Sequence, residues 1–567
     1  MNKIKILSYL LFAIIIVTSK AIAQDTLLNI MSDELNREYS ELKNQPLSSY
    51  YIEYRVDDVK TYVLNTSFGS LVNQNEDKAR LFSTVVRVGN YDFDNSHEID
   101  GANGIGGAAQ PFAVKLPYDN IPEALKFVMW QATHYAYRSA VDSYNQVQSS
   151  SKSDMKQNKA ADFSNEKPSV YFEGQVNDSL KNLNEWISRL KKYSEPFLAD
   201  DKIISADATL SYYTDRKYFV SSEGSKIVQN SRYCQLMITA AIKTEEGGIV
   251  PAYRSYYTFT PEEMPSNDEI LEEIHGMMVQ LEKLKDAPLA EAYSGPAILS
   301  PGAAAVFFHE IFGHRIEGHR LKSNFDSQTF KTQIDARVLP PYMNIYSDPT
   351  ISMFDKQDMF GYYKYDDQGI ESHKVVIVKD GVLKNFLMSR SPIEGFPNSN
   401  GHGRAQPGLA PVARQSNLIV ETKKPVSGKD LRKKLIAECK KQDKEYGFLF
   451  DQVVGGFTVT NRFSPNVFNV KPTVVYKIFV DGRPDELVRG VDFIGTPLAI
   501  FSEIAATGDN PGVFTGYCGA ESGSIPVTAL SPALFIKKIE TQKQPEGIGQ
   551  MPILPRPDVE KFQNNNK

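Results

Sequence analysis

Apolar residues recur with a helical period in some stretches of this chain and with a strand period in others. Between Ser266 and Leu284, the residues Ile270, Ile274, Met277, Leu281 and Leu284 return every three or four positions, which predicts an amphipathic helix. Pro122 to Gln146 reads as a longer helix with a proline near its start. Thr84–Val88, Asp207–Val220 and Tyr233–Ile242 read as strands. Two hairpin signatures follow: Val375–Val378 and Val382–Met388 flank Lys379-Asp-Gly381, and Thr473–Val480 and Leu487–Phe493 flank Asp481-Gly482. Leu431, Leu435 and Cys439 lie four apart on a further helix whose expected N-cap is Asp430. Pro497–Ala505 reads as a short helix between strands.

The pattern changes character near residue 287. Lys285-Asp-Ala-Pro288 ends one helix, and Tyr293-Ser-Gly-Pro296 opens a segment made mainly of strands. The expected fold class is α+β. An N-terminal α/β domain covers residues 24–287, and a mainly antiparallel β domain covers 288–541 and carries one buried helix. That helix begins with Ser300 as N-cap and Pro301 at the first position, and Ala303–Phe308 is small and apolar, so it is buried all round. Residues 542–567, rich in Pro and Asn, form a peripheral tail, and Ser149–Lys167, rich in Ser, Lys, Asn and Asp, a mobile insertion.

Length and composition suit a folded protein of two or more domains: 567 residues, 41% hydrophobic and 23% charged. The first residues change the picture. Lys3 and Lys5 precede an apolar run, Ile6–Val17, and Ala21-Ile22-Ala23 is a cleavage signal, so a signal peptide over residues 1–23, cut after Ala23, is expected. The mature protein is then secreted, into a periplasm. No later stretch is long and apolar enough for a transmembrane anchor. Cleavage moves the net charge from −6 to about −9, and no basic stripe points to nucleic acid.

Export makes the three cysteines informative. A disulfide-stapled secreted protein carries more, in even number. Cys234 lies in a strand pattern and Cys439 on a buried helix face, both core positions. Cys518 lies in Thr515-Gly-Tyr-Cys518-Gly-Ala-Glu-Ser-Gly-Ser, read as a Gly/Ser-rich loop, where a free thiol is a liability unless something holds it.

The buried helix runs into Phe307-Phe-His309-Glu-Ile-Phe-Gly-His314-Arg-Ile-Glu317-Gly-His319-Arg320. The zinc-protease pattern H-E-x-x-H sets its histidines four apart. Here His309 and His314 are five apart, which on a regular helix turns them about 140° from each other. Gly313 would let the helix end there or widen by a π-type turn, and a π-turn brings i and i+5 together. A basic helix end with scattered histidines is the alternative, although the chain has only eight histidines.

These residues resemble the signature of the TldD/PmbA metallopeptidases, which carry H-E-x-x-x-H, often as H-E-x-x-G-H-x-x-E-G. The resemblance continues in Val454-Gly-Gly456-Phe-Thr-Val, in Leu487–Ser502, in Asn400-Gly-His-Gly-Arg404 to Arg414-Gln-Ser-Asn417, and in Tyr517-Cys518-Gly-Ala-Glu-Ser-Gly-Ser-Ile-Pro526-Val. It covers about residues 290 to 535; over the N-terminal half the likeness rests on position. It implies a zinc-dependent peptidase, one Zn2+ per chain, with His309 and His314 as ligands and Cys518 as the third. Glu317 is the nearest spare carboxylate if the thiol is not a ligand. Glu310, beside the first ligand, is the general base for a metal-activated water. Glu317 and His319 are candidates to orient the ligands, with a solvent-exposed His319 equally open. His402 is a candidate to line the site. Gly455 and Gly456 let a substrate backbone approach, so extended or unfolded peptides are the expected substrates. A dimer enclosing the site is implied, with an identical chain or a metal-less paralogue as partner. The rival function is a non-catalytic peptide-binding or maturation subunit of such a complex.

Overall fold

The computed structural model describes residues 25–98, 109–151, 160–244, 248–322, 326, 328–458, 460, 468–495 and 497–543. The expected signal peptide, residues 152–159 of the expected insertion and residues 544–567 of the expected tail lie outside them. The fold is mixed α+β.

The first sheet has seven strands. Two very long ones, Ser49–Ser67 and Ser70–Val88, form a hairpin, and Ser49–Ser67 also pairs with Ile203–Ser221. Lys226–Lys243 follows, with Ile249–Thr258 along most of its outer edge. All pairings are antiparallel except the short Val170–Phe172 against Lys226–Lys243. Alternate residues point to opposite faces. Ile52, Tyr54, Val56, Tyr62 and Leu64 pack against helices Thr26–Leu42, Pro122–Ser151, Leu183–Ser194 and Asn267–Asp286. Arg55, Asp57 and Val59 face the other way, towards the second half of the chain. The Asn267–Asp286 helix buries the five apolar residues its spacing predicts, with Ser266 and Glu269 in a reciprocal cap.

The second sheet has twelve strands. Five of them close a ring: Tyr293–Leu299 pairs with both Tyr446–Thr458 and Gly523–Lys543, and Phe468–Phe479 and Val491–Gly495 complete the circuit. The helix Pro301–Phe307 sits in the core beside that ring, with Ala304, Ala305, Val306, Phe307 and Phe308 fully buried. The Lys379-Asp-Gly381 turn forms as expected, with φ of 53° at Asp380 and 77° at Gly381.

Some boundaries differ. The N-cap of Gly428–Lys441 is Ser427, not Asp430; Asp430 takes the third helical position and hydrogen-bonds Ser427. The helix at Pro497 stops at Ser502 because Ile504 enters a strand. Gly523–Lys543 runs past the expected start of the tail, held by Gln542 opposite Asp492. Among the described residues no helix is long and apolar enough to cross a membrane.

Candidate metal centre

Ser300 caps the buried helix, its Oγ accepting the N–H of Ala303 at 3.2 Å, and Pro301 follows. The next residues, Phe308–Phe312, wind as a π-helix, and Gly313–Arg315 tighten into a 3-10 turn. In the wide turn the N–H of Gly313 bonds the carbonyl of Phe308, five residues back. Gln415 Nε2 donates to the carbonyl of His309 at 3.2 Å. The π-turn brings i and i+5 to one side, and the rings of His309 and His314 lie 5.2 Å apart. Gly313 is needed for a reason other than backbone freedom. Its φ of −58° suits any residue, but a Cβ there would overlap Gln415 Oε1.

Cys518 is in a strand and not in a loop. Ile504–Ala520 turns at Glu521 and Ser522 into Gly523–Lys543, with Cys518 opposite Ile525. Long-range pairing supplies the order that a Gly/Ser-rich composition hides. The strand delivers the thiol to the histidines: Cys518 Sγ is 3.4 Å from His314 Nε2. His309, His314 and Cys518 offer three buried donor atoms within 4.8 Å of one another. Glu310 is partly buried beside them, its Oε2 4.0 Å from His314 Nε2. Cys234 and Cys439 are buried in separate cores, as expected.

The charges support one another. Burial opposes a proton on His314, yet the Cys518 thiolate and Glu317 push its pKa up to about 10. Burial likewise opposes the thiolate, and His314 and His309 outweigh it, so Cys518 falls well below the usual thiol range. Glu317 is fully buried, which would raise it, but His314, Arg320 and Arg414 hold it at about 2. Two imidazoles and a thiolate are the donors of a catalytic zinc site with one position open. His309 Nδ1 is buried without a hydrogen-bond partner among the described residues, so nothing there competes for it. The residues present therefore fit a zinc ion.

Around the donors is a polar shell that sequence reasoning found only in part. Glu317 Oε2 lies 3.2 Å from His314 Nδ1, the place of an orienting carboxylate. His319 is buried and bonded to Glu521, not exposed. Arg320 joins Glu317 at 2.9 Å to Glu521 at 3.0 Å. Arg414 donates to the carbonyl of Cys518 at 2.7 Å and to Ser522 Oγ at 2.8 Å. Arg414, Gln415 and Glu521 lie in stretches the family resemblance already marked, but no local pattern assigned them a partner.

His402 does not line the site. It is fully buried, with Nε2 3.0 Å from Ser347 Oγ and Nδ1 2.9 Å from the carbonyl of Asn400. Burial drives its pKa down to about 3, so it is a neutral core histidine. Its glycine neighbours suggested an open loop, whereas the segment packs inside the second half.

Gly455 and Gly456 do line the cleft, between Val454 and Phe457. Their strand, Tyr446–Thr458, pairs with Phe468–Phe479 along one edge. On the other edge its pairing with Tyr293–Leu299 ends at Phe450. A Cβ at Gly455 would meet open space, and Val454 and Phe457 are exposed.

Residues 292–543 match the family model described as the PmbA/TldA metallopeptidase C-terminal domain. Over those residues the chain is that of a TldD/PmbA family member. A metalloprotease of Methanocaldococcus jannaschii is 27% identical over 332 residues, which are 58% of this chain and 68% of that protein. A zinc metalloprotease TldD homologue of Saccharolobus solfataricus is 23% identical over 372 residues, 64% of this chain and 77% of the relative. The solved TldE of Thermococcus kodakarensis superposes with a TM-score of 0.58 at 12% identity, covering 91% of this chain and all of that one. At that identity the likeness concerns the fold. The TldD/PmbA relatives carry metalloprotease names, and a metallopeptidase is the family-level reading for this chain.

Proposed function

We propose that this protein is a zinc-dependent peptidase that hydrolyses extended peptides. The observation that carries the reading is the convergence of His309, His314 and Cys518 with Glu310 beside a stretch of strand edge that pairs with no other strand among the described residues. The two imidazoles and the thiolate would hold the metal. When bound, zinc supplies Lewis acidity towards a carbonyl and towards water.

The protein's own residues do the rest. A peptide laid along Val454–Phe457 adds a strand, and the missing side chains at Gly455 and Gly456 let its backbone come close. Val454 and Phe457 offer it apolar surface. Glu310 Oε2, on the cleft side of the helix, accepts the proton of the attacking water and returns it to the leaving amine. Glu317 fixes the ring of His314 through Nδ1. An added strand requires an unfolded stretch, so compact folded proteins should be spared.

Glu310→Gln should keep zinc and lose turnover by about 10²- to 10⁴-fold. Full activity in the zinc-loaded Gln variant would remove Glu310 from the reaction. A binding-only subunit of a larger complex would show no hydrolysis in either protein, and the intact Glu310 beside the donors favours catalysis. Export after cleavage at Ala23, and pairing with an identical or paralogous chain, belong to the same proposal.

A further inference from the structure

A second cavity, of about 340 Å³, lies across the Cys518 hairpin from the metal cleft. Its floor is the face of the first sheet that the helices leave uncovered, with Val59, Leu81 and Tyr213. Its roof comes from the second half of the chain, with Tyr365, Pro407 and Tyr517. Tyr517 borders both spaces and is 45% exposed. In the hairpin Tyr517 pairs with Pro526 and Cys518 with Ile525, so neighbouring side chains leave by opposite faces. The wall between the cleft and the cavity is one hairpin thick.

The ions around the cavity are already engaged, by one another or by backbone carbonyls. Lys217 Nζ is 2.8 Å from Asp367. Arg404 donates to the carbonyls of Gln415 and Pro526 at 2.6 and 2.8 Å. Asp215 has one oxygen without a hydrogen-bond partner among the described residues, but burial, reinforced by Asp57, raises its carboxyl well above the usual range. Its other oxygen faces Lys217 Nζ at 3.9 Å, so it offers no free counter-ion. What a guest meets is therefore mostly carbon, in aliphatic chains, proline rings and tyrosine rings.

We propose that this cavity receives an aromatic side chain of a peptide that passes Tyr517 and also enters the metal cleft, and so selects which peptides the site accepts. The word peptide rests on the peptidase reading; the preference for an aromatic ring rests on the lining alone. Rings packed among tyrosines adopt the offset and edge-on geometries that such pairs favour, and they bury large apolar area. A charged side chain would lose its water without gaining a free counter-ion.

The test uses N-acetyl-phenylalanine amide and N-acetyl-alanine amide, titrated into the full chain and followed by ligand-observed NMR, with zinc and with zinc chelated. The phenyl compound should bind at least about tenfold more tightly than the alanine compound, with or without metal. Val59→Trp and Ala79→Trp fill the cavity from two partly exposed strand positions. Each should abolish phenyl binding while zinc uptake stays unchanged, and two variants guard against one that does not fold. Equal affinity for the two amides, or undiminished phenyl binding in both filled variants, overturns the proposal. A protein that binds the phenyl amide as expected but hydrolyses no peptide keeps the pocket and loses the peptidase reading.

Discussion

Arg414 is fully buried, and its guanidinium joins the two ends of the donor set. One nitrogen holds the carbonyl of Cys518, and Nε lies 3.5 Å from Glu317, which in turn holds His314. Removing it leaves a buried carboxylate and a strand-end carbonyl short of a partner. Arg414→Met should weaken zinc binding by about 10- to 100-fold and cost about 3–5 kcal/mol of stability. A zinc competition titration and a denaturant melt read the two effects, and zinc affinity equal to wild type would break the link. Arg414→Lys keeps the charge without the fork and should recover only part of the loss. At this scale the sequence was legible where chemistry and spacing coincide, as at His309, Glu310 and His314. Cys518 was legible through the family resemblance. His402 was misread because a histidine's role depends on what surrounds it, and Ser347 lies 55 residues away.

The element that makes the site is a single turn. One π-helical turn between Pro301–Phe307 and Gly313–Arg315 converts a five-residue spacing into a shared face. The spacing foretold the turn, but not the Gln415 that bonds the His309 carbonyl and leaves room only for glycine at 313. Gly313→Ala puts a methyl into Gln415 and should destabilise the protein by about 1–3 kcal/mol. It should also lower zinc affinity. In the double variant Gly313→Ala, Gln415→Ala the clash is gone, and the melting temperature should rise above that of Gly313→Ala alone. A double variant no better than the single one would place the cost elsewhere. The Cys518 strand shows the opposite limit: its local composition reads as a loop, and only the pairing with Gly523–Lys543 makes it a strand.

Across the whole molecule, the first sheet and the second half of the chain meet through buried ions, Lys217 with Asp367 among them. Burial alone would raise Asp367, but Lys217 and then Arg55 bring its pKa below the ordinary carboxylate value. An acid depressed by folding adds stability above its unfolded pKa, about 3.9, and that stability is lost as pH falls through the lower folded value. Asp367→Asn should therefore reduce stability at neutral pH and remove part of the loss below about pH 4. Chemical denaturation across that range reads the slope, and an unchanged acid limb would contradict it. None of this contact was visible in the sequence, because it joins positions 150 apart. Periodicity within single elements was visible, as in Asn267–Asp286; closure of the five-stranded ring was not. The central claim is a zinc site built from His309, His314 and Cys518, and zinc bound per chain in Cys518→Ser against wild type tests it most directly. Wild type should hold about one tightly bound equivalent that the Ser variant loses, while Cys234→Ser and Cys439→Ser keep it. A full, tightly held equivalent in Cys518→Ser would contradict the account.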